Sequence, residues 1–243
     1  MRSHRFEPQA PALARLDEKK SAREHYLPYV LGDGTERMLN VCDLDGMTSL
    51  LVPDPNHLAL FTPFSQWGKV IAQHPVATRK LDEIVEIADM DFLKMDVQGA
   101  EREVLTHGRA KLQNTVAVQL EVSFISLYHN QPSFREMDVL MRGIGFLPHC
   151  FAEMKTWPLA PTLVSGKNNV GLRQLLEADL VYVRDFTHAG NLTPEQWKQP
   201  APIAHHCYGS FDLAVRCLNM LIGLGALPAG RVDDYVASLA NKD

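Results

Sequence analysis

Cysteine is scarce in this sequence and follows no pattern. Cys42, Cys150, Cys207 and Cys217 are the four, and no two stand in C-x-x-C spacing. That excludes a cysteine-rich zinc module or a disulfide framework as the organising device, and it suits a reducing compartment such as the cytosol. Basic charge is not in excess either: 24 Lys and Arg against 29 Asp and Glu leave a formal charge of −5. Nucleic-acid binding favours the opposite balance, so nucleic acid is excluded as the main partner. Nothing approaches the ~18 consecutive apolar residues of a spanning helix. The most apolar tract, around Leu218 to Leu227, is short and broken by glycine. The opening residues, MRSHRFEPQ, contain no apolar h-region of a secretory signal. A cytoplasmic protein with no membrane span is the expectation. No internal repeat is visible, and nothing assigns an oligomeric state.

What is present is globular. Hydrophobic residues make up 46% and charged residues 22% of 243, enough for one large α/β domain, or one domain with an extension. Phe6 ends a strand, Pro8 turns the chain, and Ala10, Leu13, Ala14 and Leu16 have helical spacing. Tyr26–Leu31 reads as a strand stopped by Gly32-Asp33-Gly34, and Met38–Cys42 as its hairpin partner. Residues 43–68 read as loop with one short helix, and 70–78 as a weak strand. Helical spacing over Leu81–Ile87, an apolar run over Asp91–Val97 and a helix over Ala100–Thr106 follow. Val116–Val122 predicts a buried strand, Phe134–Ile144 an amphipathic helix, and Phe146–Phe151 and Leu180–Val183 further strands. Residues 152–178 read as a long irregular insertion, and the chain from Thr193 onward as helical. Strands alternating with helices predict a mostly parallel sheet covered on both faces.

The sharpest chemical signal is Asp91-Phe92-Leu93-Lys94-Met95-Asp96-Val97-Gln98-Gly99-Ala100-Glu101. A strand ends at Asp96, a glycine turns the chain, and a helix begins with an acid in its first turn. Ligands of open α/β sheets bind outside the carboxyl ends of strands, which is where Asp96 stands. Strand alternation puts Lys94 on the same side as Asp96, where the two could pair. Spacing alone leaves two readings open: a ligand-facing carboxylate, or a helix cap with Glu101 as a dipole-compensating surface acid.

The run DFLKMDVQGAEREVL resembles the signature of the FkbM methyltransferase family, hydrophobic-K-x-D-V-[EQ]-G-x-E-x-x-V-L. Ala77-Thr78-Arg79-Lys80-Leu81-Asp82-Glu83-Ile84 is similar to the T-x-x-L-D-x-[IL] just upstream in that family. Gln119-Leu120-Glu121-Val122 resembles its acid-bearing strand, Gly145-Phe146 the G-[FY] opening the next strand, and Thr48-Ser49-Leu50-Leu51 an upstream serine-leucine segment. The resemblance spans about residues 6–150. It implies a Rossmann-like class I methyltransferase sheet over 1–190, a helical C-terminal extension over 191–243, and S-adenosyl-L-methionine as cofactor. It also implies methyl transfer to an oxygen of a small-molecule, sugar or glycan acceptor. Phe6-Glu7-Pro8 resembles the family's F-E-P, whose glutamate accepts hydrogen bonds from the cofactor ribose. Gly32 and Asp33 fall where related methyltransferases place an acid near adenine, though a tight turn explains them equally well. Asp96, Glu121 and His205 are the candidates for the base that takes the acceptor proton.

The departure is upstream. The family's first strand and V-D-V-G-A-N-x-G loop precede F-E-P, and only five residues precede Phe6 here. The resemblance places that strand between those ending at Glu7 and Asp96, so a domain lacking its first strand is expected. A non-catalytic or truncated methyltransferase-like scaffold or binding protein is the alternative. In the tail, His205 and His206 are adjacent, and on a helix they point about 100° apart, so one at most faces a pocket. Contiguous residues rarely converge on one ion, so no metal is expected. His149 falls at a strand end. Trp157, Tyr182 and Trp197 line either a pocket or the core.

Overall fold

The computed structural model describes residues 3–167 and 170–240. The chain begins β1 (Ser3–Phe6), α1 (Ala10–Lys19), β2 (Glu24–Leu27), β3 (Val30–Leu31), β4 (Glu36–Cys42). Two short helices follow, α2 (Pro55–Leu58) and α3 (Phe64–Trp67), then β5 (Val70–Arg79). The central run is β6 (Phe92–Met95), α4 (Glu101–Thr106), α5 (Arg109–Leu112), β7 (Ala117–Ser123) and α6 (Phe134–Gly143). The long strands β8 (Phe146–Thr156) and β9 (Leu175–Arg184) come next. The tail is α7 (Pro194–Lys198), α8 (Pro200–Tyr208), α9 (Phe211–Gly223) and α10 (Arg231–Ala240).

The strands form three sheets, ordered β1-β2, β3-β5-β4 and β6-β7-β9-β8. This corrects the expectation of one mostly parallel sheet. β1 pairs with β2, β3 with β5 and β6 with β7 in parallel, whereas β4–β5, β7–β9 and β8–β9 are antiparallel. β9 follows β8 directly and lies beside it, and a strand that returns beside its predecessor without a crossover must run antiparallel. Among the described residues no strand pairs with both β1 and β6.

The expected hairpin of Tyr26–Leu31 with Met38–Cys42 does not form. Pro28 lacks an N–H and breaks the run, so β2 follows β1 while β3 turns to β5, and β4 also takes β5 as its partner. The expected helix over Leu81–Ile87 is only a 3-10 turn, Leu81–Glu83. Leu81, Ile84 and Ile87 are all buried, and a spacing of three suits that tighter turn. Asp82 has another partner: its carboxylate accepts from the backbone N–H of Ala110 (3.2 Å) and Lys111 (3.0 Å), capping α5 from afar. The segment 43–68 holds a 3-10 turn, Asp45–Met47, and two short α-helices rather than one helix, and residues 152–156 and 175–178, expected to be irregular, complete β8 and β9.

The sheet β6-β7-β9-β8 is covered on both faces, and β9 alternates between them. Leu180 and Tyr182 join Leu93, Met95, Val118, Leu120, Met137 and Met141 in one core. Val181 and Val183 face the other way, against Trp197, Leu213, Cys217 and Leu221 of the tail helices. β7 is buried along its whole length, as its apolar run predicts. α6 begins with a capping box: Ser133 and Glu136 each satisfy the other's backbone N–H, and Met137 and Met141, four apart, point into the core. α7 starts the same way with Thr193 and Gln196, and Pro194 occupies its first turn. Trp197 and Tyr182 are both fully buried core residues. Trp157 packs on Phe64 and Trp67 in a separate aromatic cluster.

Candidate functional site

Asp96 follows the last residue of β6 and is exposed. The next three residues turn sharply: Gln98 has φ 51° and Gly99 φ 93°. A side chain at Gly99 would be strained by that φ, and its Cβ would meet Leu51 at 3.0 Å and Gln131 at 3.2 Å. Glu101 is not the surface acid one reading allowed. It is buried, and Oε1 accepts from the backbone N–H of Val97 (3.0 Å) and Gly99 (3.3 Å), holding the turn from inside. Burial pushes its carboxyl above the ordinary range, against the pull of those N–H groups.

The turn is also held from outside. Ser49 Oγ donates to Gln98 O at 2.6 Å and accepts from Leu51 N at 2.9 Å. Asn40 Nδ2 donates to Ser49 O and Leu51 O, and Gln73 Nε2 donates to Asn40 Oδ1. Gln98 Nε2 donates to Asp96 Oδ1 at 2.7 Å, and Tyr128 Oη lies 3.2 Å from Gln98 Oε1. Lys94 does not pair with Asp96; its Nζ lies 3.7 Å from Asp179 Oδ2. Asp179 in turn accepts from Gln119 Nε2 (2.6 Å), and Tyr208 Oη donates to Gln119 Oε1 (2.8 Å), tying α8 to the sheet.

Beside this lies a partly buried charge cluster. Lys155 Nζ bridges Glu177 Oε1 at 2.7 Å and Glu121 Oε2 at 3.3 Å. Burial pushes the Glu121 carboxyl up to about 8, with the charges of Glu177 and Asp96 adding to the shift and Lys155 opposing it. Burial works to lower Lys155, and Glu177 and Glu121 outweigh it, leaving the ammonium raised. A carboxyl raised that far is largely protonated at neutral pH, and its ionised fraction is a stronger base for the shift.

Glu7 is half-buried just past the end of β1. Its N–H extends the ladder to Leu27 O, and its Oε1 accepts from Gln9 N at 2.9 Å. Oε2 has no protein partner among the described residues. Gly32 and Asp33 sit in the turn after β3. Thr35 donates to Asp33 Oδ1 from its hydroxyl (2.6 Å) and its N–H (2.9 Å), and Arg37 donates to Oδ2 (3.2 Å). The Thr35 hydroxyl first, then its N–H and Arg37, outweigh partial burial and hold the Asp33 carboxyl at about 2. A Cβ at Gly32 would meet the Thr78 side chain at 2.8 Å.

His205 lies on α8, where Nδ1 meets Tyr235 Oη at 2.7 Å and the ring packs on His206 and Phe211. It lines a cavity of about 180 Å³ among α8, α9 and α10, whose walls include none of Glu7, Gly32, Asp33 or Asp96. His149 Nε2 meets Ser210 Oγ at 2.8 Å, and Ser210 donates to Asp212. Among the described residues, no group of three or more His, Cys, Asp or Glu is placed to hold a metal ion, and no helix is long and apolar enough to cross a membrane.

Sequence reasoning missed Tyr128, Lys155, Glu177 and Asp179. Lys155 and Glu177 belong to the ends of β8 and β9 that read as insertion, and Asp179 falls between that insertion and the strand read from Leu180. The alternation of Leu176, Ala178 and Leu180 with Glu177 and Asp179 was the available signal. Tyr128 carried no motif and becomes visible only when its loop meets the β6 turn.

The model for the methyltransferase FkbM domain matches residues 2–148. No match was found among curated proteins or among solved structures.

Proposed function

Because the chain belongs to the FkbM methyltransferase family, we propose that it uses S-adenosylmethionine to methylate a hydroxyl oxygen on a small molecule, sugar or glycan. The observation that carries this reading is the tip of β6. There the family signature presents an exposed carboxylate, Asp96, on a turn held by Glu101, Ser49 and Gln98.

The residues fit such a cofactor unevenly. Glu7 keeps one carboxylate oxygen without a partner among the described residues, which suits it to accept from ribose hydroxyls. Asp33 spends its oxygens on Thr35 and Arg37, so the Gly32-Asp33 turn would offer adenine its shape and backbone rather than an open carboxylate. The cofactor supplies an electrophilic methyl carbon and a neutral thioether leaving group. The chain must align the acceptor hydroxyl with that carbon and take its proton. Alignment alone accounts for much of such a rate. Asp96 Oδ1 is occupied by Gln98 and Oδ2 has no protein partner among the described residues, so Oδ2 is our assigned proton acceptor. Glu121 is engaged by Lys155, and His205 lines the separate cavity among the tail helices, so the acceptor's proton is assigned to neither.

Calorimetric titration with S-adenosylhomocysteine tests the reading. Saturable heat at micromolar ligand is expected. A folded protein that gives no heat and gains no thermal protection overturns it in favour of a non-catalytic, partner-binding role.

A further inference from the structure

We infer that Tyr128 is a positioning residue for Asp96, acting through the carboxamide of Gln98. The assignment of Asp96 to the reaction rests on the function proposed above; the relay itself does not.

Hydrogen bookkeeping gives the relay its direction. An ionised carboxylate only accepts, so the Gln98 amide must turn its NH₂ toward Asp96 and its oxygen away. That oxygen then faces Tyr128, whose Oη is 3.2 Å from Gln98 Oε1 and 3.1 Å from Met47 O. Both neighbours are acceptors, so the single phenolic hydrogen is shared between them and the hydroxyl must stay protonated. Tyr128 is almost wholly buried, which raises its pKa far above ordinary and keeps that hydrogen in place.

The surroundings leave Tyr128 little freedom. Gln131 Oε1 accepts from the backbone N–H of Leu127 (2.6 Å) and Tyr128 (3.2 Å), and Gln131 Nε2 donates to Ser123 Oγ (2.7 Å) at the end of β7. The ring packs in a core with Met47, Leu58, Phe61 and Leu127. Gln98 is in the left-handed region, which a residue other than glycine holds only when its environment insists. Here Ser49 fixes its carbonyl and Tyr128 fixes its side chain. Tyr128 thus joins three segments, the 47–51 loop, the β6 turn and the loop after β7, and the oxygen of Asp96 at the end of that chain is aimed by them together.

Tyr128→Phe removes one oxygen and keeps the ring. In ¹⁵N-labelled protein we expect the Gln98 side-chain NH₂ to exchange with solvent at least about tenfold faster, and S-adenosylhomocysteine affinity to fall about tenfold. Tyr182→Phe, which also removes a buried phenol, should leave both unchanged. Gln98→Asn tolerates the left-handed backbone but is too short to span both partners. It should lower affinity by a similar factor, and adding Tyr128→Phe to it should lower affinity no further. Unchanged amide exchange and affinity in Tyr128→Phe, or additive losses in the double variant, overturn the proposal. Should Tyr128→Phe not fold, a full-affinity Gln98→Asn protein overturns it and a weakened one supports it. Should wild-type protein bind no S-adenosylhomocysteine, the cofactor reading fails, and amide exchange alone decides the relay.

Discussion

Lys155 Nζ lies 3.3 Å from Glu121 Oε2 inside a sheet face where Glu121 is almost fully covered. One ammonium serves two carboxylates there, since Glu177 takes the closer position at 2.7 Å. Burial first, then the charges of Glu177 and Asp96, outweigh Lys155 and raise the Glu121 carboxyl from 4.5 to about 8.

That shift makes stability depend on pH in a definite direction. The folded-state pKa of Glu121 is above the unfolded one, so its contribution is fully present below pH ~4.5 and is lost as pH rises through about 8. Lys155 is also raised, from an ordinary value of 10.5, so its own loss falls at still higher pH, outside this window. Glu121→Gln should therefore gain stability over wild type between pH 5 and 9, by roughly 1–3 kcal/mol after discounting for coupling. Urea unfolding of both proteins at pH 5, 7 and 9 reads the difference. A gap that stays constant or reverses with pH would mean Glu121 is ionised throughout.

Arg184 is a half-buried cation held by carbonyls. Its guanidinium donates to Thr115 O, Ile144 O, Leu112 O and Gln113 O, and stacks 4.0 Å over Phe146. Lysine cannot reproduce a planar fork with that many directions. We expect Arg184→Lys to cost about 2–4 kcal/mol in chemical denaturation, mostly from carbonyls left without donors. A loss under about 0.5 kcal/mol would mean that water replaces the guanidinium freely.

Trp197 joins the tail to the sheet. It is fully buried against a cluster that includes Val181 and Val183 of β9. Trp197→Ala should cost about 3–5 kcal/mol and expose the 194–240 helices to limited proteolysis before the sheet is cut. Simultaneous loss of tail and sheet would instead mark them as one cooperative unit.

Much of this organisation was legible because it rests on local periodicity. The Val116–Val122 run, the amphipathic spacing over Phe134–Ile144 and the strand-turn-helix at Asp96 each carry their signal within a few residues. Strand direction does not. Leu180, Val181, Tyr182 and Val183 are apolar on both faces, and such a run reads the same whether it lies parallel or antiparallel to β7. Pairing partners were equally hidden: Pro28 breaks an apolar run, and β3 and β4 both choose β5, far along the chain. At the candidate site, Asp96 and Glu121 were visible through their motifs. Tyr128 and Lys155 gain their roles only from long-range contacts, to Gln98 and Glu121.

Glu7 and Asp96 are separable by substitution because neither carries the fold. Glu7 is half-buried and Asp96 exposed, and their protein partners are a neighbouring N–H and the Gln98 amide. Glu7→Gln and Asp96→Asn should each change unfolding free energy by less than about 1 kcal/mol. Their effects on ligand should differ in kind. A glutamine at position 7 still offers one acceptor oxygen to a ribose, so S-adenosylhomocysteine affinity should fall by about tenfold. An asparagine at 96 keeps an oxygen for the Gln98 NH₂ but presents an amide where we place the acceptor's proton. Turnover should then collapse by about 10²–10⁴-fold, with S-adenosylhomocysteine affinity falling only about tenfold, as it should when Tyr128 is lost. Equal, small losses in binding and turnover at both positions would move the chemistry away from the tip of β6.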